Sequence, residues 1–343
     1  MDFFQLYKKQ IIKVNNKVNN KVNTFYLDNK NVLFFNIFIK NNKLYIITPV
    51  YTNYNINSST IKITYKSAEL ICLEQITKSQ YEPTQILIYD FNFNTESIFK
   101  VIVSFDNKSK HFMLKHEKTY KNNNLAITTL FKDDYKLIKP FYHYYKNQGV
   151  QHFFMYYNGI ISDDIKKYYE QDDITLIQWD YEYWNNDNVK FSPHYAQLGQ
   201  MHDAIYRFGK DNYEYMIFCD LDEYLYFHKN KLINLLSHSN VDTFGFRNVW
   251  ANSKNNSKLD KLPNEFYTSD IISNYSCRSK CIHKMDTVIY INIHCHSKNN
   301  SNNFILKNEF IMFHFHSWSN SSRTHETNIL FKLNSNSCKL SYY

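Results

Sequence analysis

The sequence is poor in glycine and proline, with only five residues of each among 343. This scarcity excludes collagen-like and proline-rich architectures. It also argues against glycine-rich phosphate-binding loops, because those loops need clustered glycines. Aromatic side chains are abundant instead, with 30 tyrosines and 27 phenylalanines, a content that disordered chains lack. We therefore expect a folded protein with two domains, or one large domain with an appendage.

Arginine is also scarce, since it occupies only four positions and the net charge of +8 comes mainly from lysine. Proteins that read nucleic-acid sequence usually employ clustered arginines. We interpret the charge as a solvated, lysine-rich surface and expect no nucleic-acid partner.

Long apolar runs are absent as well. The longest one, at 32–39, is interrupted by Asn36 and is far shorter than the roughly 20 residues of a membrane helix. The N-terminus lacks the basic segment followed by an apolar segment that marks a secretory signal. Six cysteines in a chain of this length do not make a disulfide scaffold. We expect a cytoplasmic protein without a transmembrane segment.

Composition divides the chain into four segments. A polar leader at 1–30 contains a short period-four repeat, and a tail occupies 326–343. Between 31 and 115, short β-branched and aromatic runs predict a small β-rich module with antiparallel strands. Over 124–325, strands alternate with helices, which predicts an α/β domain of the Rossmann-like kind: a mostly parallel sheet with helices on both faces.

The α/β segment contains seven predicted elements. In open sheets of this kind the ligand binds beyond the carboxyl ends of the strands, so we look for chemistry there. Strands are predicted at 125–131, 152–158, 174–179 and 214–227, and helices at 135–147, 163–169 and 193–208.

A cluster of carboxylates follows the apolar part of the fourth predicted strand. Asp220, Asp222 and Glu223 place three acids in four positions, which is costly at the end of a buried strand unless something neutralises them. In an extended chain Asp220 and Asp222 share one face and Glu223 lies on the other. Two oxygen ligands on one face suit Mn²⁺ or Mg²⁺. The alternative is a polar strand end in solvent, and the preceding apolar strand favours the metal site.

Four sequence blocks around this cluster resemble, in order, those of glycosyltransferase family 92 and related GT-A-fold enzymes with an Asp-x-Asp-Glu motif. Together they cover about 125–322. This chain departs from the pattern at Tyr224, where phenylalanine is usual, at Met285 and Asp286, where proline is expected, and at Trp318, where a basic residue is expected. The blocks are HYYKNQGVQHFFMYYNGIISDD at 143–164, IFCDLDEYL at 217–225, SKCIHKMDTVIYINIHCHS at 279–297 and MFHFHSWSNSS at 312–322.

The resemblance implies a GT-A-like, metal-dependent glycosyltransferase. Such an enzyme moves a sugar from a nucleotide sugar, here expected to be UDP-linked, to a hydroxyl of a glycan, glycoprotein or glycolipid, with inversion. By resemblance Asp222 holds Mn²⁺ or Mg²⁺, and Asp220 faces the ribose or a water on the metal. A C-terminal histidine completes the site. His314 is our first choice because it stands five residues before Ser319, and the next candidates are His294, His296 and His316.

Further candidates are predicted to contact the donor or the acceptor. The end of the first α/β strand, at 128–134, is the candidate region for nucleotide binding, and the candidates in it are Thr128, Asp133 and Asp134. The two acids equally suit the first turn of a helix. On the helix before the metal strand, Gln197 is a candidate for the sugar. An inverting transfer also needs a general base. Among the later carboxylates we name Glu265 and Asp270, although their spacing singles out neither.

Three alternatives remain. Cys277, Cys281 and His283 with His294–His296 contain the ligand types of a zinc site, although not its usual paired spacing. A second alternative is an inactive carbohydrate-binding or structural protein of the same fold, which has no need of the carboxylate cluster. The third is a metal-dependent phosphodiesterase, but two-metal enzymes gather carboxylates from several strands, and one cluster is evident.

Overall fold

The computed structural model describes residues 20–77, 83–93, 96–119, 123–185, 195–228, 230–237, 240–253, 266–269, 272, 278–294, 297–299, 303–315 and 333–338. It shows a mixed α/β protein in which strands outnumber helices. None of the helices in these ranges has the length and apolar character needed to cross a membrane.

The N-terminal part is built of antiparallel strands, which confirms the predicted β-rich module. β1 pairs with β2, and two four-stranded sheets have the strand orders β3-β4-β8-β7 and β10-β9-β5-β6. The strands are β1 Phe25–Tyr26, β2 Val32–Phe34, β3 Asn36–Lys40, β4 Lys43–Pro49, β5 Lys62–Tyr65, β6 Ala68–Glu69, β7 Cys72–Ile76, β8 Thr84–Asp90, β9 Phe99–Phe105 and β10 Lys108–Leu114.

The second part combines a large sheet with short helices. Its helical elements are a 3₁₀ turn at Tyr135–Leu137, α1 Ile138–Asn147, α2 Asp163–Lys166, α3 Tyr195–Asp203, a π-helical continuation at Ala204–Gly209, and α4 Leu232–Leu236. Its strands are β11 Asn123–Phe131, β12 His152–Tyr157, β13 Ile174–Gln178, β14 Tyr213–Phe218, β15 Glu223–Phe227, β16 Thr243–Ser253, β17 Phe266–Ser269, β18 Lys280–Lys284, β19 Val288–Ile291, β20 Ser297–Asn299, β21 Phe304–His314 and β22 Leu333–Cys338.

The large sheet is mixed rather than mostly parallel. Its strands run β13-β12-β11-β14-β18-β16-β17-β22, and β21 pairs with both β16 and β15. The four strands from β13 to β14 are parallel, whereas β18 is antiparallel to β14 and to β16. Parallel neighbours need a long crossover connection. Helices α1 and α3 lie in such crossovers, whereas α4 is the only helix that follows β14 in the described ranges.

The parallel strands are buried on both faces. On β12, Phe153 and Met155 belong to one apolar core together with Phe141 of α1. The alternate residues Phe154 and Tyr156 belong to a second core, which contains apolar residues of α3 and of the N-terminal sheets. Alternation along the strand therefore directs neighbouring residues to different layers, and α3 lies between the large sheet and the N-terminal module.

The N-terminal module shares this second core with the α/β part. The ring of Phe35 is fully buried and packs against Trp179 and Tyr195, with ring centroids 5.5 and 4.8 Å away. Nearby, the Asn36 amide donates a 2.8 Å hydrogen bond to the carboxylate of Asp203 on α3. The module is therefore packed against the helix that precedes β14. The domain boundaries at 115 and 124 stay a prediction.

Candidate active site

The chain turns sharply at the carboxyl end of β14. The Glu223 N–H donates to the Asp220 carbonyl at 3.1 Å, which is the hydrogen bond of a β-turn. The Glu223 side chain folds back, and its Oε2 accepts the Asp220 N–H at 2.7 Å. The predicted strand at 214–227 is therefore two strands, and the expectation that Glu223 points away from Asp220 is wrong. Its carboxylate instead serves as the hydrogen-bond acceptor for the Asp220 backbone N–H beyond the end of β14.

The turn brings His314 to the carboxylates. β15 pairs antiparallel with β21 so that Glu223 lies opposite His314, and the Phe315 N–H donates to the Asp222 carbonyl at 2.9 Å. As a result, His314 Nε2 lies 3.3 Å from Asp222 Oδ2, and His314 Nδ1 lies 3.8 Å from Glu223 Oε1. His314 is buried together with Phe313 and Phe315, so both faces of this strand end are covered.

A lysine that the sequence motifs do not mark as a site residue completes the cluster. Lys280 begins β18, the antiparallel neighbour of β14. Its Nζ lies 3.0 Å from Asp220 Oδ2 and 3.2 Å from Glu223 Oε2, and its side chain is only 5% exposed. β18 reads Lys-Cys-Ile-His-Lys, and the available signal was the place of Lys280 near the start of the sequence block at 279–297. Lys280 supplies the positive charge that two of the three carboxylates need.

Gln197 of α3 also reaches the carboxylates. Its Nε2 donates to Asp220 Oδ1 at 3.4 Å, and its Oε1 accepts a 2.7 Å hydrogen bond from the Tyr183 hydroxyl. Trp184 follows Tyr183 and is 51% exposed. The structure therefore places Gln197, the predicted sugar contact, at the edge of the acidic cluster.

Burial and charge act together on the ionisable groups of the site. Burial is the main reason that the pKa of Glu223 rises to about 7, and Asp220 and Asp222 add to the rise against the opposing effects of Lys280 and His314. Burial disfavours the charged form of Lys280, but Asp220 and Glu223 outweigh it and hold its pKa above the ordinary value. In the same way, burial disfavours the charged form of His314, but Asp222, with Glu223 and Asp220, outweighs it and raises the pKa of His314.

An aromatic stack holds the His314 ring from the side of β16. Trp250 lies beside His314 in the parallel pairing of β16 with β21, and the two rings stack with centroids 4.5 Å apart. The Arg278 guanidinium lies 5.0 Å from the centre of the Trp250 ring. On the other side, the Tyr145 hydroxyl donates to the Glu223 carbonyl at 2.9 Å. These neighbours restrict the orientation of the imidazole and of the turn.

The residues predicted to bind the nucleotide fall into two groups. Thr128 is buried, and its hydroxyl donates to the Phe154 carbonyl and accepts from the Gln200 amide. β11 continues for three residues beyond Thr128, so Thr128 lies within the strand and not at its carboxyl end. Asp133 and Asp134 follow β11 at the carboxyl end of the parallel strands, as Asp220 follows β14. Asp133 is exposed, and Asp134 precedes the 3₁₀ turn without a capping hydrogen bond from its side chain.

The other metal candidates are more scattered. His294 lies in the turn after β19, and His283 hydrogen-bonds through Nδ1 to the Thr243 hydroxyl at 3.0 Å. Cys281 is a buried residue of β18. The predicted base candidates, the fourth histidine candidate and the remaining zinc candidates lie outside the described residues: Glu265, Asp270, His316, Cys277, Cys295 and His296.

The pair formed by Asp222 and His314 fits two adjacent positions around a divalent cation. Neighbouring ligands of an octahedral ion, each about 2.1 Å from it, lie roughly 3 Å apart, and Asp222 Oδ2 and His314 Nε2 are 3.3 Å apart. Within the part of the chain that the structure describes, no three histidine, cysteine or acidic side chains are arranged around one ion. Such an ion would therefore take most of its ligands from water and substrate, as Mg²⁺ commonly does.

Comparison with known proteins identifies one family. The family model for glycosyltransferase family 92 matches residues 124–337, which is more than half of the chain. The matched region contains the turn at 220–223 as well as Lys280 and His314, and the N-terminal module precedes it. No curated protein matches the chain.

Proposed function

Because the chain belongs to glycosyltransferase family 92, we propose that it transfers a sugar from a nucleotide sugar to a hydroxyl group of a glycan, glycoprotein or glycolipid. A sugar donor and an acceptor follow from the family, whereas the nucleotide, the metal and the stereochemistry are our proposals. We also assign the α/β part to the GT-A type. The support is the block of parallel strands β13-β12-β11-β14 with carboxylates beyond the end of β14.

Charge on the leaving group explains why this reaction suits the site. Cleavage of the bond between sugar and nucleotide leaves a diphosphate, and its developing negative charge must be stabilised where it forms. A divalent cation, Mn²⁺ or Mg²⁺, held by Asp222 and His314 would supply that stabilisation as a Lewis acid. Trp250 holds the His314 ring by stacking, and the backbone bond from Phe315 holds Asp222.

Asp220 has a different part in this proposal. Its carboxylate accepts from Lys280 and from Gln197, yet its side chain remains 32% exposed. We assign it to the ribose hydroxyls of the donor, which can donate to its oxygens. Glu223 is almost fully buried and closes the turn, so it positions Asp220 and Asp222 rather than contacting substrate.

Nucleotide recognition is proposed for the neighbouring strand end. Asp133 and Asp134 lie at the same end of the parallel strands as Asp220 and can accept hydrogen bonds from a uracil ring or a ribose. We propose a UDP-linked donor. Thr128 contributes indirectly at most, because its hydroxyl is occupied within the core. Gln197 is the proposed contact for the transferred sugar.

The proposed transfer inverts the anomeric carbon in one displacement. A carboxylate base takes the proton of the acceptor hydroxyl while the sugar–phosphate bond breaks. Glu265 and Asp270 stay our candidates for this base. Analysis of the product anomer by NMR checks the proposal, and retention of the donor configuration would contradict it.

The observation that carries the proposal is the 3.3 Å approach of Asp222 and His314 at the end of β14. The test incubates the protein with a panel of nucleotide sugars and Mn²⁺ or Mg²⁺ and measures release of the nucleoside diphosphate. We expect release with at least one donor, its loss with EDTA, and its loss in Asp222→Asn. The matched control is Asp163→Asn, whose side chain is 88% exposed. Release that persists in EDTA would contradict metal dependence.

A further inference from the structure

Lys280 occupies the place between two of the three carboxylates of the acidic motif. Its ammonium lies 3.0 Å from Asp220 Oδ2 and 3.2 Å from Glu223 Oε2. The Lys280 and Glu223 side chains are 5% and 3% exposed, so water provides little of their solvation. The same Glu223 oxygen also accepts the Asp220 N–H. Asp220, Glu223 and Lys280 therefore form an ion cluster in which Lys280 and Glu223 are buried and Asp220 remains partly exposed.

Position and charge make this cluster unsuitable for an added cation. A divalent ion that bound Asp220 and Glu223 would have to displace an ammonium that β18 holds beside β14. The displaced ammonium would then lie buried next to a like charge, which is strongly unfavourable. The Asp222 carboxylate is turned to His314 instead, at 3.3 Å. The acidic motif is thus divided between Lys280 and His314.

We propose that Lys280 is a positioning residue that serves as an internal cation. It holds Asp220 and Glu223 in place and keeps their oxygens out of the coordination shell of a divalent ion, which is thereby confined to Asp222 and His314. This inference rests on the proposed function for the identity of the metal site. It goes further by assigning separate tasks to the carboxylates of one short motif.

The proposal predicts an unusual result for removal of the lysine charge. Lys280→Met keeps an unbranched apolar side chain but leaves Asp220 and Glu223 without their ammonium. Their oxygens then become ligands for Mn²⁺, and added carboxylate ligands tighten divalent-ion binding. We expect Mn²⁺ to bind at least about tenfold more tightly than in the wild type. Without metal, the variant should have a lower melting temperature than the wild type, and Mn²⁺ should raise it much of the way back.

The experiment uses the full chain and Mn²⁺ alone. Mn²⁺ affinity is measured by electron paramagnetic resonance of the free ion, and melting temperature is measured with and without Mn²⁺. Lys280→Arg keeps the charge and is the control that should behave as the wild type. Lys280→Gln is a second neutral variant if Lys280→Met does not fold. Adding Asp222→Asn to Lys280→Met should leave substantial Mn²⁺ binding, whereas Asp222→Asn alone should abolish it.

The outcomes separate this inference from the proposed function. Unchanged or weaker Mn²⁺ binding in both neutral variants, with only a lower melting temperature, would show that Lys280 is merely structural and would overturn the inference. If the wild type binds no Mn²⁺ but Lys280→Met does, the lysine excludes metal as inferred, and the metal dependence of the proposed function is wrong.

Discussion

Gly199 tests how the N-terminal module packs against the α/β part. It lies inside α3, and the ring of Phe35 from the module rests on it. A Cβ atom at this position would lie 2.5, 2.6 and 3.0 Å from three ring carbons of Phe35, and real Cβ atoms essentially never show the first two distances. The ring has little room to move, since it is fully buried and packs against Trp179 and Tyr195.

Two opposing effects decide the result of Gly199→Ala. Alanine is better than glycine inside a helix by about 1 kcal/mol. Overpacking of a buried site costs about 1–3 kcal/mol, and the enclosed ring of Phe35 places this site in the upper part of that range. The clash should therefore outweigh the gain, and the free energy of unfolding should fall by about 1–2 kcal/mol.

Urea unfolding of four proteins measures this effect. The set is the wild type, Gly199→Ala, Phe35→Leu and the double variant. Without the Phe35 ring the clash is removed, so Gly199→Ala should be neutral or stabilising in the Phe35→Leu background. If Gly199→Ala is as stable as the wild type while Phe35 is present, the described contact between the module and α3 is wrong.

Three further predictions concern a buried ion pair, stability at acidic pH and metal binding. Arg207→Met should lower the free energy of unfolding by about 3–5 kcal/mol, because the fully buried guanidinium of Arg207 pairs with Glu117 at 2.8 Å. Chemical denaturation checks this, and adding Glu117→Gln should recover part of the lost free energy of unfolding. Burial lowers the pKa of His202 from 6.5 to about 4, so the stability it contributes is present above pH 6.5 and is lost as the pH falls toward 4. Between pH 7 and pH 5, the free energy of unfolding measured with urea should therefore fall by about 2 kcal/mol less in His202→Gln than in the wild type. His314→Gln should weaken Mn²⁺ binding at least about tenfold in calorimetry, and an unchanged affinity would contradict its role.

Regular patterns explain which parts of the fold were predictable from the sequence. The apolar runs with β-branched and aromatic residues became strands, and the alternation of strands with helices became the parallel block from β11 to β14. The run at 214–227 misled the prediction because apolar residues resume at 224–227 directly after the acidic turn. The break depends on the Glu223 side chain bonding the Asp220 N–H, and periodicity carries no signal for such a bond.

In the candidate site, too, the sequence predicts some residues and misses others. The motif and its order along the chain predict Asp222 and His314 as site residues, and the fold places them beside each other. Lys280 was missed because it meets Asp220 only through the pairing of β18 with β14, across 60 residues of sequence. The strand predicted at 125–131 and β11 both end at Phe131, and Thr128 lies within them with its hydroxyl bonded inside the core. Strand order and side-chain partners are tertiary properties that a single sequence does not specify locally.

The location of a bound metal tests the central claim most directly. Crystals grown with Mn²⁺ and a nucleoside diphosphate can be measured at the manganese absorption edge, where anomalous scattering locates the ion. We predict one peak within about 2.3 Å of both Asp222 Oδ2 and His314 Nε2, with the Lys280 ammonium still between Asp220 and Glu223. A peak bound by Asp220 and Glu223 would contradict the assignment of the metal to Asp222 and His314. No peak at the turn that follows β14 would contradict a metal-dependent glycosyltransferase site at this position.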